Sequence, residues 1–414
     1  MLPRLRTALV TLALSGVLLP AMPVGAAENP PPVSGTVRIA TFNTMLNRRT
    51  PGALIGDLAD PHNAQLAAVA EIIERVRPHV LLLNEFDYDE GHRAIALFRE
   101  KWLAVGHNGA KPIDYPYVYL APVNTGVPTG FDLDHDGRNN GAADAQGYGA
   151  FPGQYGMAVL SRFPIDTDAV RTFRLFLWKD MPGALLPDNR RTPAPADWYG
   201  PEELAVLRLS SKSHWDIPIR IGGHVVHILA SHPTPPAFDG REDRNGRRNH
   251  DEIRFWADYV DPARSGYIHD DAGRAGGLAA GARFVILGDL NADPHDGDNV
   301  EGTMRQLLDH PLTNATVVPK GAGGYEQARL QGGVNTRHKT PPETDTADFK
   351  DRGRFAVGNL RLDYVLPSKA GWQPLSGGVF WPATKDPLFR LVGTYPYVSS
   401  DHRLVWMDLR LSED

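Results

Sequence analysis

Short apolar runs that end in polar residues recur along this chain and predict the strands of an α/β fold. The stretch FVILGDLNADP at 284–294 is the clearest case. A short apolar run closed by turn residues is typical of a buried strand. If the extended conformation continues, Asp289 and Asn291 point to the same side. Such a pair can hold a water and a phosphoryl oxygen together, although a strand followed by an Asx-rich turn also explains the pattern.

The same reading predicts other strands and two helices. Further strands are expected at Val37–Phe42, Val80–Leu83, Tyr155–Arg162, Val225–Ser231, Leu360–Leu366 and Leu404–Leu409. Apolar residues at helical spacing predict a helix over Asn63–Arg77, which Pro78 ends, and Ile253–Tyr259 is a second helix candidate. The chain therefore begins with a strand, helix, strand order.

Polar side chains follow several of these strands or precede the last one. They are Asn43, Glu85, His232, Asp289, Asn291, Asp401 and His402. Polar groups gathered at strand ends are the usual way in which an α/β sheet builds a site. Oxygen ligands suit Mg²⁺, Mn²⁺ or Ca²⁺ better than zinc. The chain has no cysteine, so thiol nucleophiles, zinc–thiolate sites and disulfides are excluded.

Two histidines are candidates for proton transfer or charge stabilisation. His402 could be oriented by a carboxylate, either from Asp401 beside it or from Asp363 inside a predicted strand. A lone histidine before a strand can also be a surface or capping residue. His232, which Pro233 follows, could donate to a phosphoryl oxygen, or could simply pack within a Pro-rich turn.

The N-terminus has the pattern of a Sec-type secretory signal peptide. A short basic region precedes an apolar stretch, and small residues follow at the cleavage positions, so residues 1–26 are excluded from the fold. The apolar run is too short for a membrane span, and residues 27–36 form a Pro-rich lead-in. The mature chain is expected to be secreted, without a transmembrane anchor. Its net charge of -6 does not suggest a basic nucleic-acid clamp.

Residues 37–414 are interpreted as one domain with insertions near 121–154, 178–216, 235–280 and 321–354. The first insertion carries Asp132, Asp134, Asp136 and a glycine, which match the front half of a calcium-binding loop. The glutamate expected at position twelve is replaced by alanine, so an ordinary acidic turn remains an alternative. The third insertion contains arginines whose forks suit phosphate recognition, unless the stretch is a solvated loop; they are Arg244, Arg247 and Arg248.

Together these residues resemble the endonuclease/exonuclease/phosphatase (DNase I-like) superfamily. The motifs that carry the resemblance, in chain order, are Phe42-Asn43, Asn84-Glu85, Tyr155-Gly156 through Ser161-Arg162, Ser231-His232, Gly288 to Asn291, Arg361 to Val365 and Ser400-Asp401-His402. Each motif is weak alone, but their shared order is specific. The resemblance implies a four-layer α/β sandwich in which helices flank two packed mixed β-sheets.

The resemblance also implies a role for each matched residue. Glu85 would bind a catalytic Mg²⁺ or Mn²⁺, with help from Asn43 and Asp401. Asp289 would orient or deprotonate the attacking water, with Asn291 holding that water or the phosphate. His232, and His402 oriented by Asp363, would stabilise the charged transition state or protonate the leaving group. The departures are Asn84, where glutamine is more usual, and Met45, where some members have a further metal-binding carboxylate.

The sequence thus predicts a secreted, metal-dependent phosphodiesterase that cleaves its substrate by in-line attack of water. The substrate would be a small-molecule, lipid-derived or nucleic-acid phosphate ester. We expect a monomer with no stable protein partner. The alternatives are a phosphomonoesterase acting on sugar or inositol phosphates, an extracellular nuclease, and a calcium-stabilised binding protein without catalysis.

Overall fold

Two mixed β-sheets pack face to face in the computed structural model, which describes residues 35–412. The strands of this part of the chain are β1 (Val37–Leu46), β2 (Val80–Phe86), β3 (Tyr117–Tyr119), β4 (Met157–Ser161), β5 (Arg171–Thr172), β6 (His214–Ile221), β7 (His224–Ser231), β8 (Arg283–Asp289), β9 (Ala347–Asp348), β10 (Asn359–Leu360), β11 (Asp363–Pro367), β12 (Trp372–Val379) and β13 (Val405–Leu411).

Helices connect and cover these strands. They are α1 (Ala53–Ala59), α2 (Ala64–Val76), α3 (Arg93–Leu97), α4 (Pro201–Leu204), α5 (Arg244–Tyr259), α6 (Arg305–Leu308) and α7 (Ala322–Gln331). Between residues 35 and 412 no helix is both long and apolar enough to cross a membrane. The predicted signal peptide over 1–26 and most of the predicted lead-in lie outside the described residues.

The first sheet has the order β12-β13-β1-β2-β4-β3. Strands β1 and β2 are parallel and place Asn43 beside Asn84, whereas the other neighbours in this sheet are antiparallel. Because β1 and β2 run in the same direction, their C-terminal ends meet at one edge of the sheet. Asn43 and Glu85 both lie at that edge.

The second sheet has the order β11-β8-β7-β6-β5. Here β7 and β8 are the parallel pair, and β11 runs antiparallel to β8 with Asp363 opposite Asp289. The end of β7, the end of β8 and the start of β11 therefore share one edge. This edge presents His232, Asp289 and Asp363.

Alternation along β8 shows how the layers are held together. Val285 and Leu287 are buried in the core between the two sheets, whereas Phe284 and Ile286 are buried in a second core that includes α5. On the far side, the apolar face of α2 packs against the first sheet. The layer order is therefore helix, sheet, sheet, helix, which confirms the predicted four-layer α/β sandwich.

The predicted strands are present with small shifts in their ends, but the sequence reasoning missed β6 and β12. Each contains a proline, Pro218 in β6 and Pro374 in β12, and a proline inside an apolar run argues against a strand because it lacks an N–H donor. The prediction that 178–216 is insertion was therefore wrong at its end, where His214 begins β6.

The sequence also predicts α5 too short and does not predict α7. Helix α5 begins at Arg244 rather than Ile253, because its first turns bury polar residues and so lack an apolar stripe. Helix α7 lies within the insertion at 321–354, where the sequence predicts no helix. A Cβ on its Gly323 would lie 2.3 Å from the Trp381 ring, so close packing requires a residue that disfavours helices.

Candidate active site

The edges of the two sheets meet at Asn84, which is fully buried. Its side-chain oxygen accepts hydrogen bonds from the backbone N–H of Asp289 at 3.3 Å and from the hydroxyl of Thr41 at 3.2 Å. Its amide nitrogen donates to the carbonyl of Ser231 at 3.5 Å. The residue that departs from the family pattern therefore bridges the first sheet to the ends of β7 and β8.

Asp289 is the centre of the assembled site. Its Oδ2 accepts a hydrogen bond from Nδ2 of Asn43 at 3.0 Å, and its Oδ1 accepts one from the backbone N–H of Asn291 at 3.0 Å. The Nε2 atoms of His232 and His402 lie 3.4 Å and 3.6 Å from Oδ2. Four other predicted site residues, from both sheets, thus converge on the Asp289 carboxylate.

His402 is oriented by Asp363 rather than by its neighbour Asp401. Its Nδ1 lies 2.8 Å from Oδ2 of Asp363, which also accepts a hydrogen bond from the Thr346 hydroxyl at 2.7 Å. Burial lowers the pKa of His402, but Asp363 and Asp289 outweigh burial and hold the pKa well above its ordinary value. Burial raises the pKa of Asp363 to about 6. His402 is therefore a charged imidazolium at neutral pH.

His232 has the opposite electrostatic character. Burial, together with the positive charges of Lys212 and His402, lowers the pKa of His232 well below its ordinary value. Among residues 35–412, its Nδ1 atom has no hydrogen-bond partner. The site thus contains one histidine that favours the charged form and one that favours the neutral form, both near Oδ2 of Asp289, and such a difference separates acidic from basic roles.

Glu85 and Asp401 form the acidic side of the site next to Asn43. Burial and the nearby Asp401 carboxylate raise the pKa of Glu85 to about 7. Crowded carboxylates of this kind are relieved by a bound cation. Oxygen donors alone suit Mg²⁺ or Mn²⁺, so these three residues fit the expected metal. Met45 offers no oxygen ligand on its side chain.

The loop after β8 is held by the polar residues of α5. Asn291 Nδ2 donates to the carbonyl of Pro233 at 3.1 Å, which ties the end of β8 to the loop after His232. Asn249 Nδ2 donates to the carbonyls of Thr234 at 2.8 Å and Leu290 at 2.9 Å. The buried polar face of α5 therefore fixes the spacing between His232 and Asp289.

The arginines at the start of α5, which the sequence offers as phosphate ligands, make contacts within the protein. Arg248 is half-buried, and its guanidinium donates to the carbonyls of Leu209 at 2.9 Å and Arg208 at 2.8 Å. Arg244 pairs with Glu242, and Arg247 donates to the carbonyl of Leu186 at 3.0 Å. These contacts hold the insertions together and use part of the donor capacity of the three arginines.

The acidic loop of the first insertion has its three aspartates together. Carboxylate oxygens of Asp132, Asp134 and Asp136 lie within 4.8 Å of one another. Asp144, next to the alanine at position twelve, is buried and accepts the backbone N–H groups of Leu133 at 2.9 Å and Gly141 at 2.7 Å. The Asp144 carboxylate therefore closes the loop by accepting hydrogen bonds from the backbone N–H groups of other loop residues.

Sequence reasoning missed two further residues beside the site. Lys212 lies in a run of serines that has no apolar pattern, and Glu252 follows the polar stretch that contains the arginines. Both are buried. For both residues, the only signal in the sequence is that a charged side chain lies close to a strand or helix that carries site residues.

This chain is similar to known proteins in sequence and in structure. The model of the Endonuclease/Exonuclease/phosphatase family matches residues 40–402. An endonuclease/exonuclease/phosphatase structure from Beutenbergia cavernae is 20% identical with a TM-score of 0.48, covering 91% of this chain and 72% of that one. Sphingomyelinase C from Streptomyces griseocarneus is 18% identical with a TM-score of 0.45, covering 90% and 99%.

The human Nocturnin catalytic domain is a third similar structure. It is 16% identical with a TM-score of 0.45, covering 92% of this chain and 96% of that one. No protein of curated function matches the sequence significantly.

Proposed function

Because this chain belongs to the endonuclease/exonuclease/phosphatase family, we propose that it is a secreted, divalent-metal-dependent phosphodiesterase. The observation that carries the proposal is the convergence of Asn43, His232 and His402 on the carboxylate of Asp289. A site built only for binding has no need to orient a carboxylate between a charged and a neutral histidine.

The side chains assign the proton movements of a hydrolysis. Asp289 orients the attacking water and takes its proton as the water oxygen bonds to phosphorus. Asn291 holds that water or a phosphoryl oxygen. The bond from phosphorus to the leaving oxygen breaks on the opposite side, and the imidazolium of His402 stabilises the developing charge or supplies the leaving group's proton.

Mg²⁺ or Mn²⁺ is the cofactor of the proposal, with Glu85, Asp401 and Asn43 as its ligands. When bound, the cation polarises the phosphoryl group and spreads the charge of the transition state. Its ligands come from the first sheet, whereas Asp289 and His232 come from the second. The inter-sheet bridge at Asn84 therefore fixes the residues that would hold the cation relative to Asp289 and His232.

The decisive experiment compares bis-p-nitrophenyl phosphate with p-nitrophenyl phosphate, each in Mg²⁺, Mn²⁺, Ca²⁺ and EDTA. We expect faster cleavage of the diester, loss in EDTA and recovery with Mg²⁺ or Mn²⁺. The Asp289→Asn variant is the control for contaminating hydrolases. Faster cleavage of the monoester would move the assignment to a phosphatase, and hydrolysis of neither compound would contradict the proposal.

Secretion is a separate part of the proposal and has its own test. The basic start, apolar stretch and small residues before position 27 support export with cleavage near that position. We expect the full chain, expressed in a bacterial host, to be recovered outside the cytoplasm with its N-terminus near residue 27. Cytoplasmic retention of the uncleaved chain would contradict export.

Calcium binding by Asp132, Asp134 and Asp136 is the last part of the proposal. The spacing of the three aspartates before Gly137 and the closeness of their carboxylates support it. The proposed role is structural, because the loop belongs to an insertion rather than to the strand ends.

A further inference from the structure

Lys212 reaches the edge of the second sheet that carries the site. It lies two residues before β6, whose register pairs His214 with Ser231 of β7. Continued by two residues, that antiparallel register places Lys212 opposite Pro233. The ammonium Nζ lies 3.5 Å from the Pro233 carbonyl oxygen, which also accepts the amide of Asn291. Lys212 and Asn291 are therefore neighbours around one oxygen.

The backbone around Lys212 is held firmly by other elements. The Lys212 carbonyl accepts a hydrogen bond from the backbone N–H of Asn124 at 2.8 Å. Glu252 of α5 accepts the backbone N–H of Ser211 and that of Thr234, each at 2.6 Å. Glu252 thus clamps the segment before β6 to the loop after β7. Lys212 is fixed beside the site by its backbone rather than by a salt bridge.

The charged groups that influence the pKa of Lys212 include residues of the site. Burial lowers the pKa of Lys212, and the carboxylates of Glu252, Glu85 and Asp289 oppose that effect. The positive charge of Lys212 in turn contributes to the lowered pKa of His232. Two site carboxylates and a site histidine therefore interact electrostatically with a side chain that is only 6% exposed.

An ammonium group has three N–H donors, and a buried donor without a partner destabilises the native state. In the described part of the chain, the Lys212 ammonium makes one hydrogen bond, the long one to Pro233. A phosphoryl oxygen held beside Asn291 is an acceptor that can satisfy a second donor. The contact would also offset part of the repulsion between the substrate and the site carboxylates.

We propose that Lys212 is a substrate-contacting residue whose ammonium donates to a non-bridging phosphoryl oxygen. This role rests on the proposed phosphoesterase function. It gives the second sheet a fixed cation that faces the substrate, in addition to the cation held by the first sheet. The arginines expected in this role from the sequence are bound elsewhere, and Lys212 supplies the charge instead.

The first test is Lys212→Met, with Lys320→Met as the matched control because the Lys320 side chain is 60% exposed. For Lys212→Met we expect kcat/KM on bis-p-nitrophenyl phosphate to fall about 10- to 100-fold, the effect of losing a hydrogen bond to a charged group. In the same variant, the inhibition constant of inorganic phosphate should rise. Lys320→Met should match the wild type in both. If Lys212→Met does not fold, Lys212→Gln replaces it.

The absence of cysteine allows a sharper second test. Lys212→Cys introduces a unique thiol, which 2-bromoethylamine alkylates in denaturant to give a side chain with the length and charge of lysine. After refolding, we expect the alkylated protein to recover most of the activity that Lys212→Cys loses. Mass spectrometry verifies complete alkylation, and circular dichroism verifies refolding.

The outcomes separate this inference from the proposed function. An active wild type with equally active, folded Lys212→Met would overturn the role of Lys212 alone. So would a fully alkylated, refolded protein that stays as inactive as Lys212→Cys. A wild type that hydrolyses no phosphate ester would overturn the proposed function, and the role of Lys212 with it.

Discussion

The imidazole of His402 and the carboxylate of Asp363 lie 2.8 Å apart, although 39 positions separate them in the chain. This contact fixes the ring so that its other nitrogen faces Asp289 at 3.6 Å. It also keeps the ring charged. The geometry makes Asp363 a positioning residue for His402, and its effect on turnover can be measured.

Asp363→Asn should reduce kcat roughly 100-fold or more, because His402 loses both its orientation and the charge that favours its protonated form. KM should change little, since Asp363 faces the histidine rather than the substrate. Asp114→Asn is the control, as the Asp114 side chain is 80% exposed. A folded Asp363→Asn protein with wild-type kcat would refute the assignment.

Asp289→Asn should remove nearly all activity, because an amide cannot take a proton from the attacking water. We expect a loss of at least about 100-fold, as for removal of a general base. The amide keeps the shape of the carboxylate, so circular dichroism should remain that of the wild type. Retained turnover in this folded variant would show that another group activates the water.

Millimolar Mg²⁺ should raise the melting temperature of the wild type by a few degrees. A ligand that binds only the native state stabilises it by about 2.7 kcal/mol at a hundredfold excess over its Kd. Glu85→Gln should abolish this shift together with the activity. If differential scanning fluorimetry shows the same shift in Glu85→Gln, then Glu85 is not a principal ligand.

Calcium should raise the melting temperature by binding to the loop that contains Asp132, Asp134 and Asp136. Asp134→Ala should remove that increase and leave the Mg²⁺ shift and the hydrolytic activity intact. The control is Asp114→Ala, which changes an exposed aspartate elsewhere. Identical melting curves of the wild type with and without calcium would end the hypothesis of a structural calcium loop.

His214 should make the stability of the protein pH-dependent. Burial lowers the pKa of this histidine to about 4, and its ring bonds to the Ser210 hydroxyl and the Glu252 carbonyl. Between its ordinary pKa of about 6.5 and pH 4, the unfolded chain binds a proton that the native state does not. The free energy of unfolding should therefore fall by about 1.4 kcal/mol per pH unit as pH decreases through this window.

The measurement compares urea unfolding of the wild type and His214→Gln at several pH values from 7 to 4. Glutamine keeps a donor and an acceptor but does not titrate. The difference between the free energies of unfolding of the two proteins should change by about 3 kcal/mol across the window. Contributions to the pH dependence that both proteins share cancel in this difference. A constant difference would show that His214 does not couple stability to pH.

The sequence predicted the parts of this fold whose apolar pattern is uninterrupted. Strands β2 and β8 contain plain apolar runs, and the polar residues at their ends meet at one edge, where Asn84 accepts the backbone N–H of Asp289. Strand β6 was missed because Pro218 interrupts it. The first half of α5 was missed because Asn249 and Glu252 are buried for their hydrogen bonds rather than for their apolar area.

The sequence could not show which charged residues face the site. Arg248 has the chemistry of a phosphate ligand, but its donors are used on backbone carbonyls. Lys212 lies among serines and gives no periodic signal, yet the register of β6 carries it to the Pro233 carbonyl. Such differences depend on contacts between residues far apart in the chain, which local patterns do not contain.

The pairing of β1 with β13 has a consequence for synthesis. These strands lie side by side, with Val37 opposite Leu409. The sheet that contains β1 is therefore complete only after β13, near the end of the described residues, has been synthesised. His402 immediately precedes β13. A nascent chain on the ribosome therefore holds Asn43 and Glu85 long before it has the imidazole that completes the centre. If His402 has the proposed role, we expect no activity before translation is almost finished.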